Sequence, residues 1–145
     1  MDEGKPIEEM LSTLFDAQPF AVLATDDEGQ PYVSLMAFAA TDDLKGLVFV
    51  TERDTRKYAN LVRNPRAAAL IDNRPSQASD PGQAIAVTAL GDMRELDKSQ
   101  YESAFLEKNA YLEEFVSSPS CVLVEMRVRS YFVARGLQGV TELRP

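Results

Sequence analysis

Along the chain, apolar positions first recur at helical spacing and then give way to strand-like runs. Ile7, Met10, Leu11, Leu14 and Phe15 repeat every three or four residues, which predicts a helix over residues 6–16. Pro6 suits its first turn, and Glu8 and Glu9 sit near the positive end of its dipole. Residues 19–25 (PFAVLAT) form a short apolar run, residues 26–30 (DDEGQ) carry turn chemistry around Gly29, and residues 31–41 form a second run. Together they predict a β-hairpin. Residues 42–46 turn the chain again, and residues 47–51 (LVFVT) read as a third strand.

Residues 55–64 predict a short helix. Thr55 caps it, Asn64-Pro65 stops it, and Tyr58, Leu61 and Val62 make a narrow apolar face. Residues 66–72 (RAAALID) read as a fourth strand. Residues 73–83 hold two prolines, two serines and a glycine, and read as a mobile loop. A fifth strand is expected over residues 84–96, with a bulge at Gly91. Asp97 caps a helix running to about residue 116, with apolar positions at Tyr101, Ala104, Phe105, Leu112, Phe115 and Val116 and a break near Asn109. The last strand, residues 121–135, alternates: Val124, Met126 and Val128 face one way, and Glu125, Arg127 and Arg129 the other. Six strands with tight turns and little helix between them argue for an antiparallel barrel or sheet, not a doubly wound parallel fold.

Composition narrows the chemistry. At 145 residues and 45% hydrophobic content the chain fits a single domain, residues 1–145, with a real core. Its formal net charge of -8 argues against general nucleic-acid binding. The chain has no histidine and one cysteine, Cys121. That removes Ser-His-Asp and Cys-His nucleophiles and supplies zinc or haem poorly. Cys121 has no acid–base partner in the pattern and reads as structural. No apolar run reaches membrane-spanning length and the amino terminus lacks a signal-peptide core, so a soluble cytoplasmic protein is expected. Redox or group-transfer chemistry would have to come from an organic cofactor.

One segment runs against the acidic balance. Residues 49–66 (FVTERDTRKYANLVRNPR) hold five of the 15 basic residues: Arg53, Arg56, Lys57, Arg63 and Arg66. Arg56 and Lys57 fall in a helix's first turn, where acids are normally favoured. Free N–H groups, the helix dipole, the Thr51 and Thr55 hydroxyls and these two cations together suit a phosphate monoester. The competing reading is a solvated helix face, which fits Arg53, Arg63 and Arg66 best.

The order PFAVLAT, DEGQPYVSLMAFA and GLVFVTERDTRKYANLVRNPRAAALID resembles the pyridoxamine 5'-phosphate oxidase-related family of FMN-binding split barrels. The tail CVLVEMRVRSYFVARGLQGV is similar to that family's last strand. The resemblance implies an α+β fold: a six-stranded antiparallel split β-barrel with flanking helices. It implies that Thr55, Arg56 and Lys57 hold the FMN phosphate and that Val50 and Thr51 line the cofactor. The backbone of residues 32–37, with Ser34, Leu35 and Met36, would run along the isoalloxazine ring. Arg135 and Gln138, just past the last strand, would reach the cofactor region of a partner subunit, the competing reading being a polar chain end; Tyr131 and Phe132 read first as core packing and otherwise as interface or flavin contacts. A homodimer with cofactor at the subunit interface follows.

The chain departs from true oxidases of the family. Neither Arg nor Lys stands at the ends of residues 32–37, Ala86 falls where those enzymes carry glutamine, and their C-terminal histidine has no counterpart. The resemblance therefore implies FMN-dependent oxidoreduction of some other small molecule, with no metal. A flavin carrier or sensor is the non-catalytic alternative. The deazaflavin F420 also fits the barrel, while the missing histidine argues against haem.

Overall fold

A computed structural model describes residues 6–74, 81–136 and 139–145. Helix α1 (Ile7–Ala17) leads into the hairpin β1 (Phe20–Asp27) and β2 (Gln30–Ala40). The hairpin turn uses Glu28 and Gly29, both at positive φ, and the Gly29 amide donates to Asp26 Oδ1 at 2.9 Å. Strand β3 (Gly46–Glu52), helix α2 (Arg56–Arg63), β4 (Arg66–Asp72), β5 (Ile85–Glu95) and α3 (Lys98–Lys108) follow. A 3-10 turn (Ala110–Leu112) and helix α4 (Glu113–Ser117) precede β6 (Cys121–Arg135) and β7 (Val140–Leu143).

The strands are ordered β3-β2-β1-β4-β5-β6-β7, all antiparallel, and β3 also pairs with β6. That last pairing closes a six-stranded barrel, with β7 added to β6 beyond it. The bulge expected at Gly91 is present as a register shift between Leu90 and Gly91. The expected helix break also occurs, where Asn109 separates α3 from the 3-10 turn. Strand β7 was not read from the sequence.

Two apolar clusters flank β3. Inside the barrel, Phe15 of α1 meets Phe38 at 6.0 Å and Tyr131 at 5.6 Å between ring centroids, with Phe49 beyond Phe38. Tyr131 is thus a core residue, and its hydroxyl donates to the Leu44 carbonyl at 2.7 Å, pinning a turn whose φ of 63° is unusual for leucine. Outside the barrel, Val48, Val50 and Leu123 are covered by Phe105 and Val116 of α3 and α4. β3 is consequently buried on both faces.

Several side chains differ from the periodic reading. Val62 of α2 is exposed (67%), and Asn60 is buried in its place, donating to Thr25 Oγ1 at 3.0 Å. Glu125, on the charged side of the β6 alternation, is nonetheless 3% exposed. It faces Arg94 at 2.9 Å, and a Cβ on Gly46 would strike its carboxylate. A charge in that position is tolerated because it is paired. Ala104 and Phe115, placed on the apolar helix face, reach solvent.

Candidate functional site

The seam between β2 and β3 is only partly zipped. Residue pairs run from Phe38↔Phe49 to Ala40↔Leu47, and there the ladder stops. Before Phe38, β2 stays paired to β1 through Ala37, but its other edge diverges from β3. Val50, Thr51 and Glu52 continue along β6 instead. An edge of this kind carries backbone donors and acceptors in need of partners.

A groove of about 310 Å³ opens there. One lip is Leu35, Met36 and Ala37 of β2, and the other is Val50, Thr51 and Glu52 of β3. Thr55 and Lys57 close one end, and Tyr111, Leu112 and Phe115, with Phe20, form the wall. A second groove of about 420 Å³ adjoins it, sharing Phe20 and Leu35 and bordered by Asp72 and Arg74.

The polar end is built by the start of α2. Thr55 caps the helix, accepting from the Tyr58 amide at 3.3 Å. The Thr55 and Thr51 hydroxyls are 3.0 Å apart, and Thr51 is 2% exposed. No acid stands in the first helical turn. Lys57 lines the groove and has no hydrogen-bond or ion-pair partner among the described residues. A cation beside two hydroxyls at a helix N-terminus is chemistry that suits an anion.

Three other cations of the segment, Arg53, Arg56 and Arg63, are committed elsewhere, while Arg66 lies at the start of β4, away from the groove lining. Arg53 contacts Glu95 at 2.8 Å and Tyr58 at 2.9 Å. Burial alone would raise the Glu95 pKa, but hydrogen bonds from Tyr58 and Arg53 outweigh it and the net direction is down. Arg63 bonds Asp27 and Asn60. Arg56 does not line the groove. It pairs with Asp27 at 3.0 Å and lies 6.0 Å from the Tyr32 ring centroid. Arg56 is 62% exposed in that pair and Asp27 19%, and Asp27 keeps Arg63 if Arg56 leaves.

Of the residues singled out in the sequence, the structure brings Leu35, Met36, Val50, Thr51, Thr55 and Lys57 to one groove. Ser34 sits on β2 opposite Leu23 and is not among the lining residues. Gln138 lies outside the described residues, as do residues 75–80 of the expected loop. Arg135 lies on the far side of β6, its guanidinium 3.5 Å from Met10 Sδ. Cys121 is buried, and burial pushes its thiol pKa up, in keeping with a structural role. The wall of Phe20, Tyr111, Leu112 and Phe115 was missed. Its available signal was a pair of aromatic residues four apart, Tyr111 and Phe115, amid the acids Glu113 and Glu114.

The profile of the pyridoxamine 5'-phosphate oxidase family matches residues 7–132. This chain belongs to that family. Solved structures agree on the fold. General stress protein 26 from Bacillus anthracis str. Sterne is 20% identical, with a TM-score of 0.76 over 96% of this chain and 98% of that one. A protein related to general stress protein 26 from Clostridium acetobutylicum, of the pyridoxinephosphate oxidase family, is 16% identical, with a TM-score of 0.73 over 95% and 94% of the two chains. A heme binding protein from Mycobacterium smegmatis is 21% identical, with a TM-score of 0.83 over 96% of this chain and 58% of that longer one. No curated protein matches the sequence significantly. The expectation against haem, drawn from the missing histidine, finds no support among these neighbours. No helix among the described residues is long and apolar enough to cross a membrane.

Proposed function

We propose that this protein binds FMN in the groove at the split seam and acts as a flavin-dependent oxidoreductase on a small molecule. The observation that carries the reading is Lys57, without a partner among the described residues and set beside the Thr51 and Thr55 hydroxyls at the end of a largely apolar groove. The residues fit the group: a cation and a helix N-terminus for a phosphate, with the Thr51 and Thr55 hydroxyls free to turn toward it from each other and from the Glu52 carbonyl, and an unladdered strand edge for the polar rim of a fused ring. When bound, flavin supplies hydride exchange that no side chain can.

The chain's own residues do the rest. Lys57 and Thr55 hold the phosphate, and Arg56 joins them by leaving Asp27. Leu35, Met36, Ala37 and Val50 exclude water from the ring. The groove is at the small end of the range for cofactor sites. Its rim is also bare, with Leu35 69% and Tyr111 66% exposed. On the outer sheet face Leu35, Val22 and Leu70 lie side by side in register. An apolar face of this kind calls for a partner, and a second copy of this chain completing the groove is the reading adopted.

The test is titration of the apoprotein with FMN, followed by flavin absorbance and fluorescence. Stoichiometric binding is expected, and Lys57→Ala should weaken it severely. Unchanged affinity in that variant would refute the phosphate assignment. The absorbance of the purified protein separates FMN from F420 and from haem, the competing ligand raised by the Mycobacterium smegmatis neighbour. Steady-state oxidation of reduced nicotinamide with candidate acceptors separates an enzyme from a carrier, which shows no saturable acceptor dependence.

A further inference from the structure

The groove wall is made of segments that cannot hold themselves in place. Tyr111 and Leu112 lie in a 3-10 turn, and Phe115 in the five-residue α4. Neither is long enough to be stable alone. Just before them, two polar side chains reach back into the body of the protein. Lys108 Nζ donates to the Phe15 carbonyl at 2.7 Å, in the last turn of α1, and lies 3.6 Å from the Phe38 ring centroid. Asn109, 1% exposed, donates Nδ2 to the Phe38 carbonyl at 3.1 Å and to the Phe105 carbonyl at 3.3 Å.

Both side chains therefore meet at Phe38. This is the residue at which the β2–β3 ladder stops and the groove begins. The wall and the fork of the seam are tied to a single point. Holding a half-buried ammonium there is costly, and burial pushes the Lys108 pKa down to about 8 despite the nearby Asp16 carboxylate. A cap for α1 alone could be supplied by a neutral donor at lower cost.

We propose that Lys108 and Asn109 are positioning residues that set the gap between the Tyr111–Phe115 wall and the split seam, and so decide how firmly a planar ring is gripped. The inference rests on the flavin reading for the identity of that ring, but the wall's position can be measured without it. The chain has no tryptophan, so Tyr111→Trp places a single reporter on the wall.

In that background, Lys108→Met should shift the tryptophan emission to longer wavelength and lower its anisotropy. Amide exchange over residues 109–117 should quicken. FMN affinity should fall about tenfold, the scale of one lost charge-assisted contact. Affinity for inorganic phosphate, which needs only the end of α2, should stay unchanged. Lys108→Arg, which can keep both the carbonyl bond and the ring contact, should restore the signals. If Lys108→Met does not fold, Lys108→Gln keeps a donor without the charge and should give the same changes in smaller measure.

A lower melting temperature with unaltered tryptophan signal and unaltered exchange would reduce the pair to a structural clasp and overturn the proposal. Failure of the parent to bind FMN would sink the flavin reading alone, leaving the emission and exchange measurements to judge the wall.

Discussion

Strand β3 has two neighbours and meets them differently. Against β6 it is paired along its whole length, Gly46 to Glu52. Against β2 it is paired only from Leu47 to Phe49. The first seam is continuous, and Gly46 leaves room beside it for the buried Glu125 and its arginine partner. The second carries a groove, exposed apolar lips and an unpaired lysine. One barrel thus spends its cohesion on one side of a strand and leaves the other side available. The lesson is that a groove can be made by stopping a ladder early, with no insertion or special loop.

The comparison can be broken by substitution on either side. Phe49→Ala, beneath the closed part of the sheet, should cost about 3–5 kcal/mol in urea unfolding. Leu35→Ala on the open lip should change stability by less than about 0.5 kcal/mol. Equal effects would mean the two seams are not mechanically distinct. Next in size, Lys57→Ala should cost about 1.5–3 kcal/mol of FMN affinity by calorimetry. Gly46→Ala should cost about 1–3 kcal/mol of stability, because the new methyl displaces Glu125 from Arg94. Arg56→Ala should cost less than about 1 kcal/mol of FMN affinity, since it must first leave Asp27. A larger loss for Arg56 than for Lys57 would reverse the assignment made from the groove.

A pH dependence sharpens the comparison from another side. The buried Lys108 amine titrates near 8, whereas the ordinary lysine value is 10.5. Between those values the unfolded chain binds the extra proton, so this group makes stability rise with pH across that window. Below about 8 both states are protonated and its contribution is flat. Burial raises the Tyr131 pKa, so that side chain works in the opposite sense above the ordinary tyrosine value of 10.0. It does so in wild type and variant alike. The urea midpoint of wild type minus that of Lys108→Met should therefore climb from pH 8 to 10. A flat difference would show that Lys108 is not desolvated.

Much of this was legible because its determinants are local. The hairpin follows from turn residues around Gly29, the α2 cap from Thr55, and the break before the 3-10 turn from Asn109. The site was legible in part. A strand running into a capped helix places Thr51, Thr55 and Lys57 by chain geometry alone. Which of two adjacent cations faces the groove is a different matter. Successive helix positions turn by about 100°, and only the presence of Asp27 across space decides that Arg56 points away. The aromatic wall was hidden because apolar residues at helical spacing read equally well as core or rim. Glu125 was hidden for the converse reason: its partner Arg94 comes from another strand. The four residues of β7 are too few to establish an alternation.

Strand β6 joins β3, β5 and β7. It is therefore the stave without which the cylinder stays open, although its oldest neighbour, β3, is synthesised some seventy positions earlier. On the ribosome the hairpin β1–β2 and helix α2 can take shape as they emerge, but the circle waits for Cys121 to Arg127. Until then the apolar inner side of β3 has no lasting cover, and the nascent chain depends on whatever shields it.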